Sequence, residues 1–214
     1  MNAEEIIRKT EAWVKNQLID ERSGHDWYHV KRVSNQASKL AKLENADHFI
    51  VTMAALLHDI ADDKLIENEQ KALDSIKDWL DSLEINQEEQ SHIFDIIQSI
   101  SFKGGNGSPL RTLEAKIVQD ADRLDAMGAI GIARTFTYSG HKGQAMYDPN
   151  LEIRENMTLE EYRNGQSSAV HHFYEKLLKL KDLMNTEHAK KEAEIRHQYM
   201  ETFLAQFFQE WQGK

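Results

Sequence analysis

Apolar residues recur along this chain mostly at intervals of three and four, the period of an α-helix. Only two prolines, Pro109 and Pro149, interrupt that rhythm. The spacing predicts an all-α fold with helices over about 3–20, 25–43, 46–61, 68–82, 87–100, 109–126, 127–139, 158–163, 168–183 and 187–211. Start signals accompany several of them. Ser23 with Asp26 and Thr158 with Glu161 fit capping boxes, and Ser108 places a cap ahead of a first-turn proline, Pro109. The run GGNGSP at 104–109 is the sharpest break, and HKGQAMYDPN at 141–150 opens the longest irregular stretch. No internal repeat, low-complexity tract or Pro/Ser-rich linker divides the chain, so one helical domain over 1–214 is the simplest organisation, with 140–214 able to form a cap over it. Near the end, Phe173, Leu177, Leu180 and Met184 make an apolar stripe, followed by the aromatics Phe203, Phe207, Phe208 and Trp211. Core packing is the expected use of both, with a homodimer interface as the runner-up.

Composition narrows the classes of partner. A chain of 214 residues with 40% hydrophobic content can bury a core and is expected to fold. Its net charge of −10 argues against wide binding to large nucleic acids or to an anionic membrane surface, which the summed field repels. The charge is uneven: residues 59–95 hold 12 Asp or Glu against 3 Lys. There is no cysteine, so disulfides, thiolate nucleophiles and Cys-based zinc sites are excluded and any chemistry falls to His and carboxylates. The N-terminus, MNAEEIIRKTEAW, lacks the order of a secretion signal, and the longest apolar run, MAALL at 53–57, is far too short to span a bilayer. A cytoplasmic protein is expected.

One stretch resists a bland reading. LLHDIADDK at 56–64 puts His58, Asp59, Asp62 and Asp63 directly behind a buried-type apolar run. His58 with Asp62, and Asp59 with Asp63, lie one turn apart, and three carboxylates near a helix C-terminus repel one another and the helix dipole. A cation there would remove the conflict; a frayed end pointing into water is the ordinary alternative. Two other stretches bear on the choice. GHDWYHVKRV sets His25 and His29 one turn apart, and VQDADRLDAMGAIGIARTF places Asp120, Asp122 and Asp125 in an apolar, alanine-rich helical run where aspartate is unfavourable and costly to bury unpaired. Taken singly, His29 reads as a satisfied core or surface histidine and Asp122 as a partner of Arg123 or of another helix.

Taken together, His29, then His58 and Asp59, then Asp122 in an Ala-Asp-Arg-Leu context resemble the HD-domain metal-dependent phosphohydrolase superfamily. GHDWYHVKRV, LLHDIADDK, VQDADRLDAMGAIGIARTF and the tail from His172 to Trp211 look like its bacterial subfamily of nucleotide pyrophosphohydrolases, over about residues 23–211. The resemblance implies a helical bundle with the C-terminal helices packed around a metal-site pocket, and His29, His58, Asp59 and Asp122 as ligands of one divalent cation. Mixed N/O ligation suits Mn²⁺, Fe²⁺, Co²⁺, Ni²⁺ or Zn²⁺ better than Mg²⁺, and the subfamily favours Mn²⁺. Such an ion lowers the pKa of water and offsets charge on a phosphate. The implied reaction hydrolyses a (deoxy)nucleoside triphosphate to monophosphate and pyrophosphate.

The same resemblance casts Asp62, and after it Asp63, as the general base or water-orienting group. His25 could ligate in place of His29, but a place in the first turn of its helix, where backbone amides favour phosphate, makes it a phosphate contact or proton donor. Lys103, Arg123, Lys176, Lys179 and Arg196 are candidates to receive the phosphates or the base, each weighed against an ordinary exposed or structural role. Two other readings stand beside this one: a 5'-nucleotidase or phosphodiesterase on the same metal site, and a non-enzymatic nucleotide- or metal-binding helical protein.

Overall fold

Short polar side chains set where the helices begin in the computed structural model, which describes residues 1–21, 24–60, 69–100, 109–155 and 165–214. Asn2 accepts the N–H of Glu5 and opens α1 (Ala3–Gln17). Asp26 accepts the N–H of His29 and opens α2 (Trp27–Glu44), and Asp47 accepts those of Phe49 and Ile50 at the head of α3 (His48–Leu57). Each bond satisfies an amide that the helix itself leaves without a partner. Asn45, in the left-handed region at φ 56°, closes α2. The chain continues through α4 (Glu69–Asp81), α5 (Gln87–Ile100), α6 (Leu113–Asp125), α7 (Gly128–His141), α8 (Ala169–Glu175), a 3₁₀ helix (Leu177–Leu183) and α9 (Glu187–Trp211). Every regular element among the described residues is helical, as the apolar period predicts.

The backbone forms two compact units, Met1–Ala121 and Asp122–Lys214. In the first, α3 is the central element, packed by α1, α2 and α5. Its residues from Ile50 to Leu57 are all buried; of these only Thr52 is polar, and its hydroxyl donates to the His48 carbonyl. The rings of Trp13 and Trp79 stack at 5.0 Å between centroids, and the Trp79 indole donates to Thr10, which fastens α4 to α1.

In the second unit α7 and the 3₁₀ helix pack on α9, and α8 packs on α7 and on the 3₁₀ helix. Phe173, Leu177, Leu180 and Met184 are buried, as the stripe predicts. The predicted helix over 168–183, however, divides: α8 stops at Glu175, and Leu177–Leu183 is 3₁₀. Leu177 and Leu180 are three apart, a spacing that aligns side chains in a 3₁₀ helix as well as in an α-helix, so the apolar pattern does not distinguish them. The predicted helix over 109–126 starts at Leu113, with Thr112 accepting the N–H of Ala115; the proposed cap Ser108 lies outside the described residues. The Thr158 and Glu161 box lies outside them too. Phe203 packs on Phe173 and Phe136 at 5.9 and 5.8 Å, and Phe207, Phe208 and Trp211 gather around Tyr147, so the terminal aromatics pack within their own unit.

The corner between α6 and α7 depends on glycine. A Cβ at Gly131 would stand 2.2 Å from the carbonyl oxygen of Ala126, and backbone cannot yield as a flexible side chain would. Gly131→Ala is expected to destabilise the protein by about 3 kcal/mol, the upper part of the overpacking range. Urea unfolding checks this, and an unchanged midpoint would mean that the corner relaxes freely.

Candidate metal centre

The start of α2 with the residue ahead of its cap, and the end of α3, bring three imidazoles to one carboxylate. His29 follows the cap of α2 by a single turn, so its ring is carried by a fixed helix start and is fully buried. His58 caps the C-terminal end of α3, and Asp59 follows it with 3% of its surface exposed. The predicted helix over 46–61 therefore ends earlier than expected. Ile60 donates to Leu57 in a tighter, three-residue turn, and His58 Nδ1 donates to the Ala55 carbonyl at 2.8 Å. Because a carbonyl only accepts, Nδ1 carries a hydrogen there, and Nε2 faces Asp59.

The three imidazoles converge on that carboxylate. His58 Nε2 lies 3.3 Å from Oδ1 of Asp59, while His29 Nε2 and His25 Nδ1 lie 3.1 and 2.9 Å from Oδ2. The rings of His25 and His29, and of His29 and His58, meet edge to face at 5.4 Å. One ligand atom each from His25, His29 and Asp59 falls within 4.8 Å of the other two, close enough for one ion to be shared. Burial by itself would push the Asp59 carboxyl up; the fields of His58, His29 and His25, and the hydrogen bond from His25, outweigh it and hold the group well below the usual carboxylate value. Asp59 is thus a buried carboxylate held in its ionised form by the imidazoles that surround it. That donor set fits a divalent ion of mixed N/O preference.

The predicted residues fare differently. His25, expected in the first turn of α2, stands ahead of its cap, because Asp26 takes the His29 amide and the helix starts at Trp27. The helix-amide argument for a phosphate at His25 therefore lapses, and its ring instead hydrogen-bonds Asp59 with 17% of its side chain exposed. Ser23, paired with Asp26 in the predicted capping box, lies outside the described residues, as do Asp62, Asp63 and Lys103. Asp122 sits on α6 directly after Ala121 and is the first residue of the second unit. Its neighbour Asp125 is buried and paired with Arg134 at 2.9 Å.

Arg123, expected near Asp122 or substrate, donates to the Leu183 carbonyl, and Arg196 donates to that of Leu124 at 2.5 Å. Lys176 ends α8, and Lys179 is exposed on the 3₁₀ helix. The Ala55 carbonyl that orients His58 had no sequence signal, since every residue carries the same group.

The family model of the HD domain matches residues 26–127, the span that contains His29, His58, Asp59 and Asp122. The Bacillus subtilis protein YpgQ is 41% identical over 196 residues, covering 91% of this chain and 88% of its own. The chain belongs to the HD-domain family. A structure of an HD-superfamily hydrolase from Bacillus thuringiensis is 48% identical to this HD protein, covers 100% of both chains and superposes with a TM-score of 0.79. The structure of YpgQ in complex with ADP, 37% identical, covers 95% of this chain and 97% of its own with a TM-score of 0.78. The HD protein is accordingly a metal-dependent phosphohydrolase by family, with a His/Asp cluster able to hold a divalent ion. No helix among its described residues is long and apolar enough to cross a membrane.

Proposed function

We propose that this HD protein hydrolyses (deoxy)nucleoside triphosphates to monophosphate and pyrophosphate, with His29, His58, Asp59 and Asp122 as ligands of one divalent ion, Mn²⁺ favoured. The observation that carries the reading is the convergence of three imidazoles on the buried, ionised Asp59. The nucleotide half draws support from YpgQ, a similar protein crystallised with ADP. A bound divalent ion supplies Lewis acidity and an acidified water.

The chain's own groups divide the remaining work. Asp59 holds no proton to give, so proton transfer falls to other residues. Asp62, or in its place Asp63, takes the proton of the attacking water. The partly exposed His25 contacts a phosphate oxygen or returns a proton to the leaving group. Water oxygen bonds to the α-phosphorus, the bridging oxygen to the β-phosphorus departs, and pyrophosphate leaves with the electron pair. Lys103, Lys176 and Lys179 are the cations proposed to meet the phosphates. Arg123 and Arg196 hold backbone carbonyls and are proposed to shape the substrate side by fixing the ends of α6 and of the 3₁₀ helix.

The test is ion-exchange analysis of dGTP and ATP incubated with metal-stripped protein and added Mn²⁺. Monophosphate with pyrophosphate in equal amounts is expected. Inorganic phosphate from monophosphates, or ring opening of a cyclic nucleotide, would reassign the site to a nucleotidase or phosphodiesterase. Metal uptake without turnover of any ester would leave a binding protein.

A further inference from the structure

The second unit contains a cavity of about 330 Å³ that the phosphohydrolase chemistry does not use, a volume at the lower end of small-molecule sites. Among the described residues, four ring side chains line it: Tyr147, His171, Tyr174 and Phe208. Leu151 and Val170 add apolar surface, and Glu152 and Ile153 stand at the solvent edge, Ile153 being 47% exposed.

The walls are built before any ligand arrives. Ala169 and Val170, at the start of α8, donate their amides to the carbonyls of Ala145 and Met146, which seats the segment carrying Tyr147. His171 is held at both nitrogens. Its Nε2 donates to the Leu151 carbonyl at 2.9 Å, so Nδ1 accepts from the Ser168 hydroxyl at 2.7 Å. The imidazole therefore presents ring surface rather than a free polar atom. Tyr147 stacks on it at 5.6 Å and is braced edge to face by Phe208 and Trp211 at 5.4 and 5.1 Å. Rings fixed in this way lose little entropy when a planar ligand packs against them.

The polar groups narrow the ligand. Burial pushes the Tyr174 phenol up, with help from Tyr147, so it remains a neutral hydroxyl able to donate or accept. Glu152 is an acceptor. Among the described residues the lining holds no lysine or arginine, and its one carboxylate, Glu152, repels a phosphate. A neutral planar heterocycle with an N–H to donate meets every one of these conditions.

We infer that this cavity binds the amino-bearing base of a nucleoside, stacked among Tyr147, Tyr174 and Phe208 with its N–H groups toward Glu152. The assignment rests on the nucleotide reading of the protein and names where the base goes. The source of the base is either the substrate itself or a separate nucleoside effector.

Adenosine, which has no phosphate for the metal centre, tests the cavity directly by calorimetric titration into the full chain with and without Mn²⁺. Binding is expected in both, undisturbed by millimolar inorganic phosphate. Ile153→Trp, which fills the cavity from its exposed edge, should weaken it more than tenfold, and Glu152→Gln should weaken adenosine while leaving its N6,N6-dimethyl derivative unchanged. No heat with adenosine, or equal affinity in the wild type and Ile153→Trp, would overturn the proposal. If Ile153→Trp also raises the KM for ATP with kcat preserved, the base is the substrate's. An unchanged KM with adenosine binding lost identifies an effector site. Failure to hydrolyse triphosphates would strike the proposed reaction alone, because adenosine binding is read without turnover.

Discussion

Asp59→Asn is expected to cut Mn²⁺-dependent release of pyrophosphate from dGTP by more than about a hundredfold, since loss of a partner one step removed from a metal already costs 10- to 100-fold. Asparagine nearly preserves the shape of the side chain but removes the anion on which His25, His29 and His58 converge. Metal content after dialysis separates this from a folding defect: the variant should lose its stoichiometric Mn²⁺ while keeping a helical circular dichroism spectrum. His25→Ala should behave differently, retaining the ion and losing roughly 10- to 100-fold in turnover, because the ring touches Asp59 from outside the proposed ligand set. Full turnover in Asp59→Asn would remove the metal centre from the reaction. Loss of the ion in His25→Ala would promote His25 to a ligand, the role that its position within 4.8 Å of His29 and Asp59 also permits.

Arg154→Ala is expected to destabilise the second unit by about 3–5 kcal/mol, the cost of stranding a buried charge. Glu175 is buried on α8, and Arg154 grips it with two parallel bonds, 2.7 Å from Nε to Oε1 and 2.8 Å from Nη2 to Oε2, while Ser167 adds a third at 3.0 Å. Burial alone would push the Glu175 carboxyl up; the hydrogen bonds to Arg154 and Ser167 and the arginine's charge outweigh it and lower the group below its ordinary 4.5. A carboxyl whose folded-state pKa is depressed stabilises the fold fully above its unfolded value, and that contribution fades as pH falls through the lower, folded one. Thermal melts from pH 7 downward should therefore show an acid-side loss in the wild type that is reduced in Glu175→Gln. The double variant Arg154→Leu, Glu175→Leu should recover much of the stability lost by Arg154→Ala, because no charge is left buried without its partner. A melting temperature unchanged in Arg154→Ala would show that the pair contributes nothing.

Several features of this protein were fixed by local rules. The helical period follows from the spacing of apolar residues, and the burial of α3 from residues 50–57, in which only Thr52 is polar. The meeting of His29 with His58 and Asp59 was expected only from the resemblance to the HD-domain superfamily, since local rules read each of these residues singly as an ordinary side chain. Tertiary structure decided the rest. Whether Leu177–Leu183 winds as α or 3₁₀ is invisible to a three-residue apolar spacing that satisfies both. His25 left the helix because Asp26 captured the His29 amide, and its ring reaches Asp59, 34 residues away. The grip of Arg154 on Glu175 spans 21 residues, and that of His171 on Leu151 spans 20. Periodicity and caps are properties of neighbours in sequence, whereas an ion pair or a ring-lined cavity depends on where the backbone returns, which packing alone determines.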